Sequence, residues 1–110
     1  STVVEEFAKN EYKSYILIDF AKASSDVKEY FQLYLNDLDT FFMLLSVQYG
    51  VQLHERDSVI IFDEVQLFPK AREAIKYLVA DGRYDYMETG SLISIMENVK
   101  GLVIPSEERQ

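Results

Sequence analysis

Val59-Ile60-Ile61-Phe62 runs without a break into Asp63-Glu64. Successive residues of a strand point to opposite faces of its sheet. Four apolar residues in a row therefore need cover on both faces. That is the condition of a strand inside a parallel sheet, whose crossover helices lie above and below it. The two acids mark where the strand leaves that cover. Tyr15-Ile16-Leu17-Ile18, ended by Asp19, is a second run of the same kind.

Helical patterns separate these runs. Val3, Val4, Phe7 and Ala8 share one face of a helix over Thr2–Asn10, which no convincing N-cap precedes. Val27, Tyr30, Phe31, Tyr34, Leu35 and Leu38 follow a helical period, with Asp26 as the expected N-cap and Glu29 as its capping-box partner. Asn36 or Asp37 is expected to cap a further helix through Tyr49, stopped by Gly50. Pro69 suits the first turn of a helix with Ala71, Ala74, Ile75, Leu78 and Val79 as its apolar stripe, ended by Gly82. Tyr84–Met87 reads as a third strand. A turn at Thr89-Gly90-Ser91 leads to an expected short helix over Leu92–Glu97, and Leu102-Val103-Ile104 reads as a last strand. The order predicts an α/β fold: a parallel sheet with helices on both faces, in one domain over residues 1–110. In such sheets function gathers at the carboxyl ends of the strands, where Asp19, Asp63, Glu64, Thr89 and Ser91 fall.

Composition narrows the function. Of the 110 residues, 48% are hydrophobic and 27% charged, which gives enough apolar surface for a core and argues against disorder. The net charge of −8 repels phosphate backbones, so direct nucleic-acid binding is not expected from this segment. A nucleotide pocket is compatible with it, because a few backbone N–H groups and one metal ion outweigh the global field locally. With no cysteine there is no disulfide, thiol nucleophile or Cys-based zinc site, which fits a reducing compartment. The longest apolar run, Phe41–Leu45, cannot span a bilayer, and the N-terminus has no basic region of a signal peptide; a cytoplasmic protein without membrane partners is expected.

The chemistry sits at Asp63-Glu64. A rigid strand end holds Asp63 where its carboxylate can bind hydrated Mg²⁺, which keeps most of its waters and takes few protein ligands. Glu64 next to it can polarise a water for attack on a γ-phosphate. This is the pattern of a Walker B segment; the competing reading is a pair of solvated loop acids. Thr89 or Ser91, at the end of the next strand, could hydrogen-bond the γ-phosphate or the attacking water, and each could equally be a helix N-cap. Gln66 stands two residues past Glu64, where it could orient that carboxylate or a water.

Residues Val59 to Ile95 resemble a family of bacterial and archaeal AAA-like P-loop ATPases. In that family a Walker B ending in Asp-Glu is followed by Gln, a Pro-initiated helix and a strand leading into Thr-Gly-Ser or a variant. Asp63, Glu64, Gln66, Pro69 and Thr89-Gly90-Ser91 match that pattern. The resemblance covers nearly the whole chain and implies a P-loop NTPase-like core, ATP and Mg²⁺ as cofactors, and a nuclease-like or uncharacterised C-terminal domain in full-length members. It also places Ser1 at the magnesium-ligating hydroxyl that closes the phosphate-binding loop, with Ser1 and Thr2 at the cofactor. The glycines and lysine of that loop, and the strand before it, are not among these residues. The segment alone is therefore expected to be inactive and to bind Mg-ATP weakly or not at all. A sheet lacking its first strand is expected to leave a gap beside Tyr84–Met87, closed by self-association, swapping or rearrangement.

Two other readings stay open. A receiver-like signalling domain would be phosphorylated on Asp63, with Thr89 as its switch hydroxyl; against it, the first strand ends in one acid and the last offers no lysine. A non-catalytic interaction module is the other. His54, the sole histidine, reads as a loop residue, and Lys70, Arg72, Lys76 and Arg83 as a solvated face with an inter-subunit arginine as the alternative.

Overall fold

The computed structural model describes residues 2–90 together with residues 94 and 95. Its elements run α1 (Val3–Glu11), β1 (Ser14–Asp19), α2 (Ser25–Leu33), α3 (Leu38–Tyr49), β2 (Ser58–Asp63), α4 (Pro69–Asp81), β3 (Asp85–Thr89) and β4 (Ser94–Ile95), with a 3₁₀ turn at Val65–Leu67 before α4. The strands form one sheet in the order β1-β2-β3-β4. β1, β2 and β3 are parallel, as the continuous apolar runs require. β4 is antiparallel to β3, pairing Met87 with Ile95 and Glu88 with Ser94.

The two faces carry separate cores. Ile16, Ile18, Ile60, Phe62 and Tyr86 point to one side, where α2, α3 and α4 cover them with Phe31, Phe41, Leu45, Ala74 and Leu78. Val59, Ile61 and Met87 point to the other, under Val4 and Ala8 of α1 and Tyr12, which follows it. β2, between two parallel neighbours, has five consecutive buried residues from Ser58 to Phe62. β1 lies at the sheet edge and alternates instead: Ile16 and Ile18 are buried, Tyr15 and Leu17 partly so.

Local chemistry sets most boundaries, with four differences from expectation. α1 does have an N-cap: the Thr2 Oγ1 accepts the Glu5 N–H at 3.1 Å, and the Glu5 carboxylate accepts the Thr2 N–H at 3.2 Å. The cap of α2 is Ser24, whose Oγ accepts the Val27 N–H at 3.3 Å; Asp26 lies inside the first turn, where its charge suits the helix dipole. The stripe read as one helix through Leu38 stops at Leu33, because Asp37 caps the next helix by accepting from the Thr40 N–H. Gly50 ends α3 at φ 65°, a left-handed geometry that favours glycine.

The fourth difference lies beyond β3. A helix over Leu92–Glu97 was expected, yet Ser94 and Ile95 are strand. β3 also runs two residues past Met87, to Thr89. Its outer edge offers unpaired backbone groups, and residues 94–95 meet them locally, which outweighs the weak helical pattern of so short a segment. The edge beside which a gap was expected is thus paired, by a strand of the same chain, at Met87 and Glu88. The expected strand at Leu102–Ile104 lies outside the described residues. Among the described residues, no helix is long and apolar enough to cross a membrane.

One core residue conflicts with its surroundings. Tyr86 is 1% exposed, and its hydroxyl finds no hydrogen-bond partner among the described residues. Burial, with Asp81 adding to it, raises the Tyr86 hydroxyl pKa above its ordinary value. The neutral form is thus favoured in the fold, and the unfolded chain loses its proton first. Stability held below about pH 10 is therefore lost as pH rises past the unfolded value. Tyr86→Phe should raise unfolding free energy by about 1 kcal/mol at neutral pH and lessen the alkaline loss. Denaturant titrations at neutral and alkaline pH check both, and a destabilised variant would mean that the hydroxyl is satisfied.

Candidate functional site

β2 and β3 end together. Asp63 is paired in register with Thr89, and each is the last residue of its strand. Their side chains share a face by alternation: Asp63 continues the α1-facing series of Val59 and Ile61, and Thr89 that of Asp85 and Met87. The Thr89 Oγ1 donates to Asp63 Oδ1 at 2.8 Å, which fixes the carboxylate at the sheet's mouth. Both residues are partly exposed.

Helix α1 is directed at the same end. Two residues, Tyr12 and Lys13, connect it to β1, and the Tyr12 hydroxyl donates to Asp85 Oδ2 at the start of β3, at 2.5 Å. The C-terminus of α1 therefore lies by the amino ends of the strands. Its nine residues span about 13 Å, which brings the N-terminal turn back towards their carboxyl ends. The positive end of the helix dipole is on the side of Asp63 and Thr89, favourable for an anion.

Glu64 leaves β2 abruptly. Its backbone is left-handed, at φ 58° and ψ 39°, a conformation that costs a non-glycine residue about 1 kcal/mol or more. Two backbone bonds hold it: its N–H donates to the Thr89 carbonyl at 3.0 Å, and its carbonyl accepts the Leu67 N–H at 3.0 Å. Its carboxylate accepts from Gln66 Nε2 at 2.5 Å. Gly90 closes the group at φ 153°; a Cβ there would lie 3.5 Å from Gln66 Oε1 and 3.8 Å from Glu64 Oε1. Sequence spacing alone brought Gln66 near Glu64; only the turn puts their side chains in contact.

The other candidates separate from this group. Asp19 Oδ1 accepts the Ala21 N–H at 2.9 Å, and the residue lines a small hollow with Lys22, Val27 and Tyr49, where its charge helps burial to raise the Tyr49 hydroxyl pKa. The Asp19 carboxylate thus serves the turn that follows β1. Thr2 uses both its hydroxyl oxygen and its N–H in the capping box. Ser1 and Ser91 lie outside the described residues. Of the basic cluster, Arg83 is tied to Asp39 at 2.8 Å and Asp81 at 3.1 Å, and Arg72 to Glu88 at 3.2 Å, so these two arginines are not a free solvated face.

Glu88 itself escaped sequence reading. It falls between the expected strand at Tyr84–Met87 and the expected turn at Thr89-Gly90-Ser91, but lies inside β3, 8% exposed, with both carboxylate oxygens on Arg72 Nη1. One signal was present: Arg72, Ile75 and Val79 share a helical face, so the arginine stands on the stripe that packs towards the sheet.

The donor set is hard oxygen: a carboxylate and a hydroxyl at two adjoining strand ends, with a second carboxylate adjacent. It fits Mg²⁺, which needs few protein ligands. Among the described residues there is no group of three or more His, Cys, Asp or Glu arranged to hold a metal ion, so these residues do not form a self-sufficient metal cage. A family model described as an AAA domain matches residues 1–102. No curated protein and no solved structure gives a significant match.

Proposed function

Since the chain belongs to the AAA domain family, we propose that Asp63-Glu64 is the Walker B segment of an ATP-binding, ATP-hydrolysing domain. The observation that carries this reading is the Thr89 hydroxyl donated to Asp63 across aligned strand ends at 2.8 Å, with Glu64 immediately beyond. A bound Mg²⁺ would offset the charge of the nucleotide's phosphates. Asp63 would hold it directly or through water, with Ser1 as a second oxygen ligand. Glu64 orients a water and accepts its proton. Thr89, or Ser91 beyond it, meets the γ-phosphate or the attacking water through its hydroxyl. While the Thr89 proton is donated to Asp63, that oxygen can accept from the water, and it must turn from Asp63 to donate to the phosphate.

The rest of the anion site is backbone. The N-terminal turn of α1 is directed at this end, and its N–H groups and dipole suit phosphate. Thr2, through its capping box, fixes the helix end that would receive the phosphates. The receiver and interaction-module readings have no comparable support: the acid on β1, Asp19, is engaged in its own turn.

Calorimetry tests the proposal. The full-length protein should bind Mg-ATP in the micromolar range, and Asp63→Asn should remove the gain in affinity that Mg²⁺ confers. Residues 1–110 alone should show no micromolar binding. Tight binding by that segment alone, or an unaltered Asp63→Asn protein, would overturn it.

A further inference from the structure

Resting on that reading of Glu64, we propose that Gln66 is the positioning residue that aims the Glu64 carboxylate. Side chains two apart do not face each other on a regular helix. Here the left-handed backbone of Glu64 and the 3₁₀ turn after it fold Gln66 back, so that Nε2 donates to Glu64 Oε1 at 2.5 Å. Gly90 lies beside this contact: a Cβ at that position would meet Gln66 Oε1 at an ordinary 3.5 Å, and it is the backbone, at φ 153°, that favours glycine there. Gln66 is exposed, and an exposed glutamine gives up considerable rotamer freedom when held in one place. A hydrogen bond to a carboxylate is strong enough to offset that loss.

The arrangement has a chemical consequence. With Oε1 engaged by the amide, Oε2 is the oxygen that accepts the water proton, and the carboxylate plane is fixed about the Gln66 bond. Gln66 thereby reduces the motion Glu64 must lose on reaching the productive geometry, and touches neither nucleotide nor metal itself. A bond of this kind raises the rate of the chemical step without adding ground-state affinity.

Gln66→Met separates this role from bulk, because methionine keeps the length of the side chain and lacks the N–H donor. Gln66→Met and Gln66→Ala in the full-length protein should both lower kcat by about tenfold or more, with KM for Mg-ATP within about twofold and an unchanged thermal midpoint. Gln66→Met retaining near-normal kcat, or a change confined to KM, would overturn the proposal. Glu64→Gln is measured alongside. If it is inactive while Gln66→Met is normal, the positioning role fails and the reading of Glu64 stands. If it is fully active, the reading of Glu64 fails and takes the positioning role with it.

Discussion

Glu64→Gln should lower ATP turnover by the full-length protein by about 10²- to 10⁴-fold while leaving its Mg-ATP affinity nearly unchanged. The substitution keeps the size of the side chain and removes its ability to take a proton. It leaves the backbone bonds intact, since the Glu64 N–H still reaches the Thr89 carbonyl and its carbonyl still receives the Leu67 N–H. Asp63, which supplies the proposed metal-binding oxygen, keeps its bond from Thr89. Binding and chemistry should therefore part, and a single-turnover assay beside calorimetry reads the two separately. Equal losses in both would point to a metal or folding defect and away from a general base. An unaffected turnover would remove Glu64 from the mechanism.

Phe31→Ala should destabilise the domain by about 4 kcal/mol. The ring is fully buried and meets four others, Phe20, Phe41, Phe62 and Phe68, at centroid distances of 4.9 to 6.2 Å. It joins α2 to α3, to β2 and to the segment that begins α4, so neighbouring elements would all have to move to fill the space. A loss of that size is a large share of the 5–15 kcal/mol that ordinarily separates folded from unfolded domains. Equilibrium denaturation measures it, and a loss below about 1 kcal/mol would mean that the site collapses around the alanine. Phe62, one residue from Asp63, is among the rings released. Partial loss of the site's alignment should thus accompany the loss of stability.

Much of this fold was legible because its signals are local. Val59–Phe62 and Tyr15–Ile18 announced strands by their apolar runs, and β2 and β1 extend one residue to either side of them, though only β2 is buried throughout its run while β1, at the edge, alternates. Gly50 and Pro69 occupy the cap and first-turn positions expected of them, and Asp37 is the cap of the two residues, Asn36 and Asp37, that could serve. Errors arose where local signals compete. Ser24 and Asp26 both offer a capping oxygen, and the choice depends on where the preceding turn delivers the chain. Ser94-Ile95 carries too few residues to declare a period, and its pairing with β3 decided its conformation.

The candidate site divides in the same way. Asp63-Glu64 was visible as two acids closing an apolar run, for the residues themselves state where cover ends. Their alignment with Thr89 was not, because it depends on the register between strands whose ends lie 26 residues apart. Glu88 was missed for a like reason: its partner Arg72 lies on another element, sixteen residues earlier. The sequence by itself determined the parallel α/β class, the buried strand and the acids at its end, since burial on both faces and helical periodicity are properties of contiguous residues. The fold in three dimensions decided that the Thr89 hydroxyl bonds Asp63, that Glu64 turns left-handed into the reach of Gln66, and that the chain leaves β3 beside them through Gly90 at φ 153°. Those contacts follow from strand register and chain reversal, which no contiguous stretch of residues encodes.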